Sequence, residues 1–81
     1  MLQTIKLFAV ARQRAGRDSI QVELPERATI GDLRACVARQ HPPLADLLAH
    51  VRFAVNSDYA ADSRVIPADA EVACIPPVSG G

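Results

Sequence analysis

No tryptophan occurs in these 81 residues, and Phe8, Phe53 and Tyr59 are the only aromatic side chains. A core built from this chain must therefore be aliphatic. Lysine is almost as scarce. Lys6 stands alone beside the arginines, and nine basic residues balance nine acidic ones for a formal net charge of zero. Nucleic-acid binding draws most of its free energy from neutralising phosphates, so no nucleic-acid partner is expected. The run Arg12, Arg14, Arg17 is short, lacks interleaved aromatics, and reads as a solvated loop. No apolar run approaches the ~20 residues that cross a bilayer, so no membrane partner is expected. Met1-Leu2-Gln3-Thr4 leads into a strand pattern without the basic and apolar segments of a signal peptide. The expectation is a cytoplasmic protein. Cys36 and Cys74 are far apart and form no CxxC, and neither His41 nor His50 shares a ligand spacing with them. Bound metal and bound cofactor are therefore not expected, and both thiols read as core residues of a reducing compartment.

What is present is a globular composition, 49% hydrophobic and 22% charged, with room for one core. Residues 2–9 alternate, with Ile5, Leu7 and Ala9 to one side and Thr4, Lys6 and Phe8 to the other. A polar connection over 11–16, with room for one helical turn, leads to a second alternating segment, 18–24, stopped by Pro25. The two read as an antiparallel hairpin. Thr29 is placed to cap a helix, with Asp32 three residues on, and Ile30, Leu33 and Val37 form its apolar stripe. Arg34 and Arg39 are expected in water. His41-Pro42-Pro43 ends that helix, and a second, shorter helical piece is expected over 44–48. Strand patterns then return at 52–56, around Tyr59-Ala60, and at 71–75. Phe53, Val55, Val72 and Cys74 point inward, and Val65-Ile66 plugs one end of the core. The order is β-β-α-(short α)-β-β-β. A helix laid across a mixed sheet buries both apolar faces in two layers, and a helical crossover lets the first and last strands pair in parallel at the centre. That is an α+β fold of the ubiquitin-like β-grasp type, with about five strands, a long helix and a short second helix on one face.

The chain divides into a β-grasp domain, 1–75, and an extended C-terminal tail, 76–81, Pro76-Pro77-Val78-Ser79-Gly80-Gly81. The prolines end the last strand and stiffen the exit. Gly80 and Gly81 lack a Cβ, so the end can enter a slot closed to other residues. What arrives there is the α-carboxylate of Gly81. Activated as an adenylate, a carboxylate becomes an acyl donor that a persulfide converts to a thiocarboxylate or a thiol to a thioester. Ser79 has no base or orienting partner in the pattern, and reads as a small tail residue rather than a nucleophile.

These residues resemble the small subunit of molybdopterin synthase over nearly the whole chain. The likeness is carried by Ile5-Lys6-Leu7-Phe8-Ala9 followed by Arg12, by Thr29-Ile30-Gly31-Asp32-Leu33, by Ala54-Val55-Asn56, and by Asp69-Ala70-Glu71-Val72-Ala73 running into the Pro-Pro-Val-Ser-Gly-Gly end. The loop 56–62, with Tyr59, departs from the pattern. The resemblance implies a sulfur carrier that is not an enzyme on its own. A ubiquitin-activating-like adenylyltransferase would use ATP to adenylate Gly81, and a sulfur donor protein would convert it to the thiocarboxylate. The tail would then deliver sulfur to cyclic pyranopterin monophosphate on the large subunit, which supplies the catalytic side chains in a heterotetramer with two of each subunit. A thiamine-type carrier and a ubiquitin-like protein modifier share the Gly-Gly end and stand as the alternatives.

The strand parities offer a separate hint. Phe8 and Ile75 fall on the face opposite their strands' core residues, and Tyr59 can join them from the edge. An apolar cluster beside a reactive tail marks a docking surface, so Phe8, Tyr59, Ile75, Pro76, Pro77, Val78 and Ser79 are the expected partner-binding residues.

Overall fold

The computed structural model describes residues 1–77. Strand β1 (Leu2–Leu7) is followed by helix α1 (Ala9–Ala15), β2 (Ser19–Glu23), helix α2 (Ile30–Gln40), a 3-10 turn (Pro42–Leu44), β3 (Arg52–Val55), β4 (Asp58–Ala60) and β5 (Val72–Ile75). The five strands form one sheet in the order β2-β1-β5-β3-β4. The central pair, β1 and β5, is parallel, and the remaining neighbours are antiparallel. This is the expected β-grasp topology, and the parallel centre follows from the helical crossover between the first and last strands. Among the described residues, no helix is long and apolar enough to cross a membrane.

Helix α2 forms where its sequence closes its own first turn. The Thr29 hydroxyl accepts from the Asp32 amide, and the Asp32 carboxylate accepts from the Thr29 amide. Two otherwise unpaired amides are satisfied reciprocally. Ile30, Leu33, Cys36 and Val37 are buried against Ile5, Val22, Phe53 and Val55 in one aliphatic cluster around a single phenyl ring. The Cα trace has a radius of gyration of 11.5 Å.

Five local expectations change. Strand β1 ends at Leu7 rather than residue 9, because Ala9 takes φ 52°, and Ala9 is exposed rather than inward. Phe8 O then accepts from the amides of Ala11 and Arg12, starting a seven-residue helix where a polar connection was expected. Gly16, at φ 71°, closes that helix, its amide N–H donating to Arg12 O. The second helix is thus α1, and residues 44–48 are not an α-helix. Leu47, Leu48 and His50 donate to carbonyls three residues back, which is 3-10-type winding. Val65 is 49% exposed and only Ile66 plugs the core, through its amide bond to Ala28 O. Arg34 is half-buried rather than in water, and its guanidinium donates to Leu48 O, Val51 O and Asp62 Oδ1. Gln3, which no periodicity singles out, is buried on the core face of β1, where its amide donates to Ala70 O and Thr4 O.

The β3–β4 hairpin turns on Asn56 and Ser57, at φ 49° and 73°. Two consecutive left-handed residues make the tight turn that matches strand twist. Asn56 also extends the ladder toward β5: its amide donates to Glu71 O and its side-chain oxygen accepts from the Glu71 amide. Ser57 carries a Cβ where glycine is favoured. Ser57→Gly is expected to stabilise the fold by about 0.5 kcal/mol, a rise of roughly 3 °C in Tm by calorimetry, once glycine's larger unfolded-state entropy is set against the relieved strain.

Candidate docking face and tail exit

The pleat decides what faces the side of the sheet away from α2. Register runs Ser19–Lys6–Ala73–Ala54–Tyr59 across β2, β1, β5, β3 and β4. Small side chains therefore occupy the middle, and the larger ones stand at the sides. One position further along, Ile75 pairs with Arg52 on β3, and Phe8 leaves the end of β1 beside them. Lys6, Phe8, Ala54, Tyr59, Ala73 and Ile75 line a shallow groove of about 350 Å³. Phe8 is 46% exposed and Tyr59 57%, while Ile75 is half-buried. The structure thus brings together Phe8, Tyr59 and Ile75, three residues separated by most of the chain.

The chain leaves this groove at its C-terminal end. Strand β5 stops at Ile75, Pro76 is buried and Pro77 is exposed. Pro76 anchors the exit rather than offering surface. Val78, Ser79, Gly80 and Gly81 lie outside the described residues. A larger groove of about 580 Å³ lies at the opposite end of β1, between residues 1–6 and 68–72. It is remote from the exit because β1 and β5 run parallel, so the smaller groove is the one placed to work with the tail.

Electrostatics add a feature that strand periodicity did not reveal. The Arg52 guanidinium carbon lies 4.0 Å from the centroid of the Tyr59 ring. The two are diagonal neighbours, since Ala54 is directly opposite Tyr59, and long side chains reach across a diagonal. The register of the hairpin was the signal that could have found this pair. Glu71 also lines the groove.

Neither cysteine belongs to the site. Cys74 is 2% exposed and Cys36 6%, both in the core. Cys74 projects to the α2 side, and burial pushes its thiol up to about 11, with the Arg34 charge pulling weakly the other way. The folded value lies above the ordinary 9.0, so the protonated form favours folding. That contribution is fully present below pH 9 and is lost as pH rises through about 11. A disulfide-exchange reagent at pH 8 is expected to leave both thiols unmodified in the native protein over minutes, and to titrate both in denaturant. Rapid native labelling would contradict the placement.

Comparison with known proteins agrees with the geometry. Residues 5–81 match the ThiS family. A molybdopterin synthase sulfur carrier subunit of Chlamydomonas reinhardtii is 37% identical over 76 residues, covering 91% of this chain and 92% of that protein. Small archaeal modifier protein 1 of Haloferax volcanii is 33% identical over 84 aligned positions, covering 94% and 97% of the two chains. A crystal structure of that modifier superposes with a TM-score of 0.84 at 30% identity over the full length of both chains. A putative molybdopterin converting factor subunit 1 from Pyrococcus furiosus superposes with a TM-score of 0.80 at 31% identity, covering 96% of this chain and 99% of the other. With its parallel sheet centre, its groove beside the tail exit and a match that runs through the terminal glycines, this chain belongs to the ThiS family of ubiquitin-like proteins.

Proposed function

We propose that this protein is the sulfur carrier subunit of a molybdopterin synthase, acting in the cytoplasm. The observation that carries the reading is the family match through Gly80 and Gly81, joined to an apolar groove at the point where β5 releases the tail. An adenylyltransferase of the ubiquitin-activating type converts the Gly81 carboxylate to an acyl-adenylate, with ATP as the source and pyrophosphate as the leaving group. A persulfide on a donor protein attacks the acyl carbon and displaces AMP, and a second thiol then cleaves the acyl disulfide, leaving the thiocarboxylate and a disulfide on the donor side. The tail then enters the large subunit, where cyclic pyranopterin monophosphate takes the sulfur. The carrier contributes no catalytic side chain. Gly80 and Ser79 are small enough for a narrow slot, Val78 and Pro77 are bound by the partner with them, and Phe8, Tyr59 and Ile75 seat the partner. The assembly is a heterotetramer with two copies of each subunit.

The deciding measurement is a mass spectrum of the C-terminal peptide. The thiocarboxylate form is mixed with the large subunit and cyclic pyranopterin monophosphate. Reversion to carboxylate only when both are present supports the reading, and retained sulfur sinks it. Phe8→Ala is expected to weaken binding of the large subunit by about tenfold or more with an unchanged Tm, because the side chain is a half-exposed aromatic lining the groove. Titration calorimetry checks it.

The 33% identity to small archaeal modifier protein 1 favours one second reading, conjugation of Gly81 to lysines of other proteins. That reading predicts isopeptide-linked adducts in extracts of the source cell. A thiamine-type carrier would instead pass its sulfur to a thiazole-forming acceptor.

A further inference from the structure

We propose that Arg52 is a pre-ordered carboxylate receptor, and that the protein docking on this face carries an Asp or Glu side chain at the point where the tail leaves. The inference rests on the docking role proposed for the groove and names the chemistry of its rim. Arg52 pairs with Ile75, the last residue of β5, so its backbone stands beside the exit, and its side chain runs from there toward β4. The Tyr59 ring holds it at 4.0 Å. Stacking restrains a side chain that otherwise carries large rotamer freedom, so less order is lost when it binds. It also leaves the in-plane N–H fork available for a bidentate carboxylate. Among the described residues no carboxylate or carbonyl occupies that fork. Arg12, Arg14 and Arg34, by contrast, are each paired with an aspartate. Lys6 and Glu71, one cation and one anion, both line the groove itself, and Arg52 adds a further positive charge beside Tyr59. An acidic side chain seated there would be flanked by Tyr59 and Ile75, where an ion pair outweighs one on an open surface. The receptor thereby fixes the direction in which a partner lies across the sheet, with its acidic group toward the tail.

The test is titration of the full-length chain with the synthase large subunit at low and at high salt, comparing wild type with Arg52→Lys, Arg52→Glu and Phe8→Ala. Arg52→Glu is expected to raise Kd by at least tenfold at low salt, with a smaller loss at high salt. Arg52→Lys keeps the charge but loses the fork, and is expected to cost a few-fold. All Arg52 variants should keep the wild-type Tm, the side chain being exposed. Wild-type affinity in Arg52→Glu alongside weakened Phe8→Ala would overturn the receptor and leave the docking face standing. Wild-type affinity in both would overturn the receptor and the docking face together.

Discussion

Deleting Gly81 is expected to abolish sulfur transfer and leave folding untouched. The reacting atom of the proposed mechanism is the terminal carbonyl carbon, and a residue of extended chain spans roughly 3.3 Å. Shortening the tail by one residue moves the acyl group by that distance and puts the Ser79-Gly80 end where Gly80-Gly81 should lie. Misplacing a reacting centre by even about 1 Å costs on the order of a hundredfold, so the rate of adenylate formation should fall below detection. Gly80→Ala tests the slot rather than the length. It keeps the carboxylate but adds a Cβ, and should lower the rate by a comparable factor if the partner's channel is narrow. The sheet ladder ends at Ile75, so neither change touches the core and Tm should not move. ATP–pyrophosphate exchange with the adenylyltransferase reads the first step, and thiocarboxylate mass the second. A truncated chain that still supports molybdopterin formation would make the tail inert and the domain a plain interaction module.

The largest expected effect on stability is at Arg34. This side chain starts on α2 and ties three segments together: the 3-10-wound stretch through Leu48 O, the start of β3 through Val51 O, and the loop before Val65 through Asp62. Its guanidinium carbon also lies 5.1 Å from the Phe53 ring centroid. Arg34→Met preserves much of the aliphatic stem but leaves the Leu48 and Val51 carbonyls without their donor. Each charge-assisted bond lost in a half-buried setting costs about 1.5–3 kcal/mol, while the Asp62 pair, whose carboxylate is largely exposed, adds little. A loss of about 3 kcal/mol follows, or roughly 15 °C in Tm for a domain of this size. Arg34→Lys should recover only part of it, because Nη1 donates to both carbonyls while Nη2 holds Asp62, and one ammonium on a shorter stem cannot serve all three acceptors. Urea denaturation of both variants checks the value, and a loss below about 1 kcal/mol for Arg34→Met would show the carbonyls satisfied by water instead.

Arg34 also shows why the sequence underdetermines such a residue. On a helical wheel it falls beside the apolar stripe, and arginines so placed usually extend into solvent. Nothing local indicates that two carbonyls from residues 48 and 51 will meet it. The same holds for Gln3. Its parity is that of Ile5 and Leu7, but a glutamine at a strand's start gives no sign of a buried acceptor at Ala70, far along the chain. The helix at Ala9–Ala15 was hidden for a different reason. It depends on Ala9 adopting a left-handed backbone, which an alanine does not advertise, whereas Gly16 at its other end does.

The sequence by itself determined the elements whose causes are local. Alternation set the faces of β1, β2 and β5, the Thr29–Asp32 pair set where α2 begins, paired prolines set where it ends, and Gly80-Gly81 pointed to the chemistry proposed for the tail. Side-chain periodicity even assigned Phe8 and Ile75 to one face, because the pleat alternates whatever the neighbours are. The tertiary structure decided what depends on partners distant in sequence. Pairing β1 with β5 and β3 with β4 assembled a groove from separated residues and set Arg52 over Tyr59, and packing drew Gln3 into the core and half-buried Arg34. A buried hydrogen-bonding side chain and a shared surface are properties of two segments at once, and only packing determines which two segments meet.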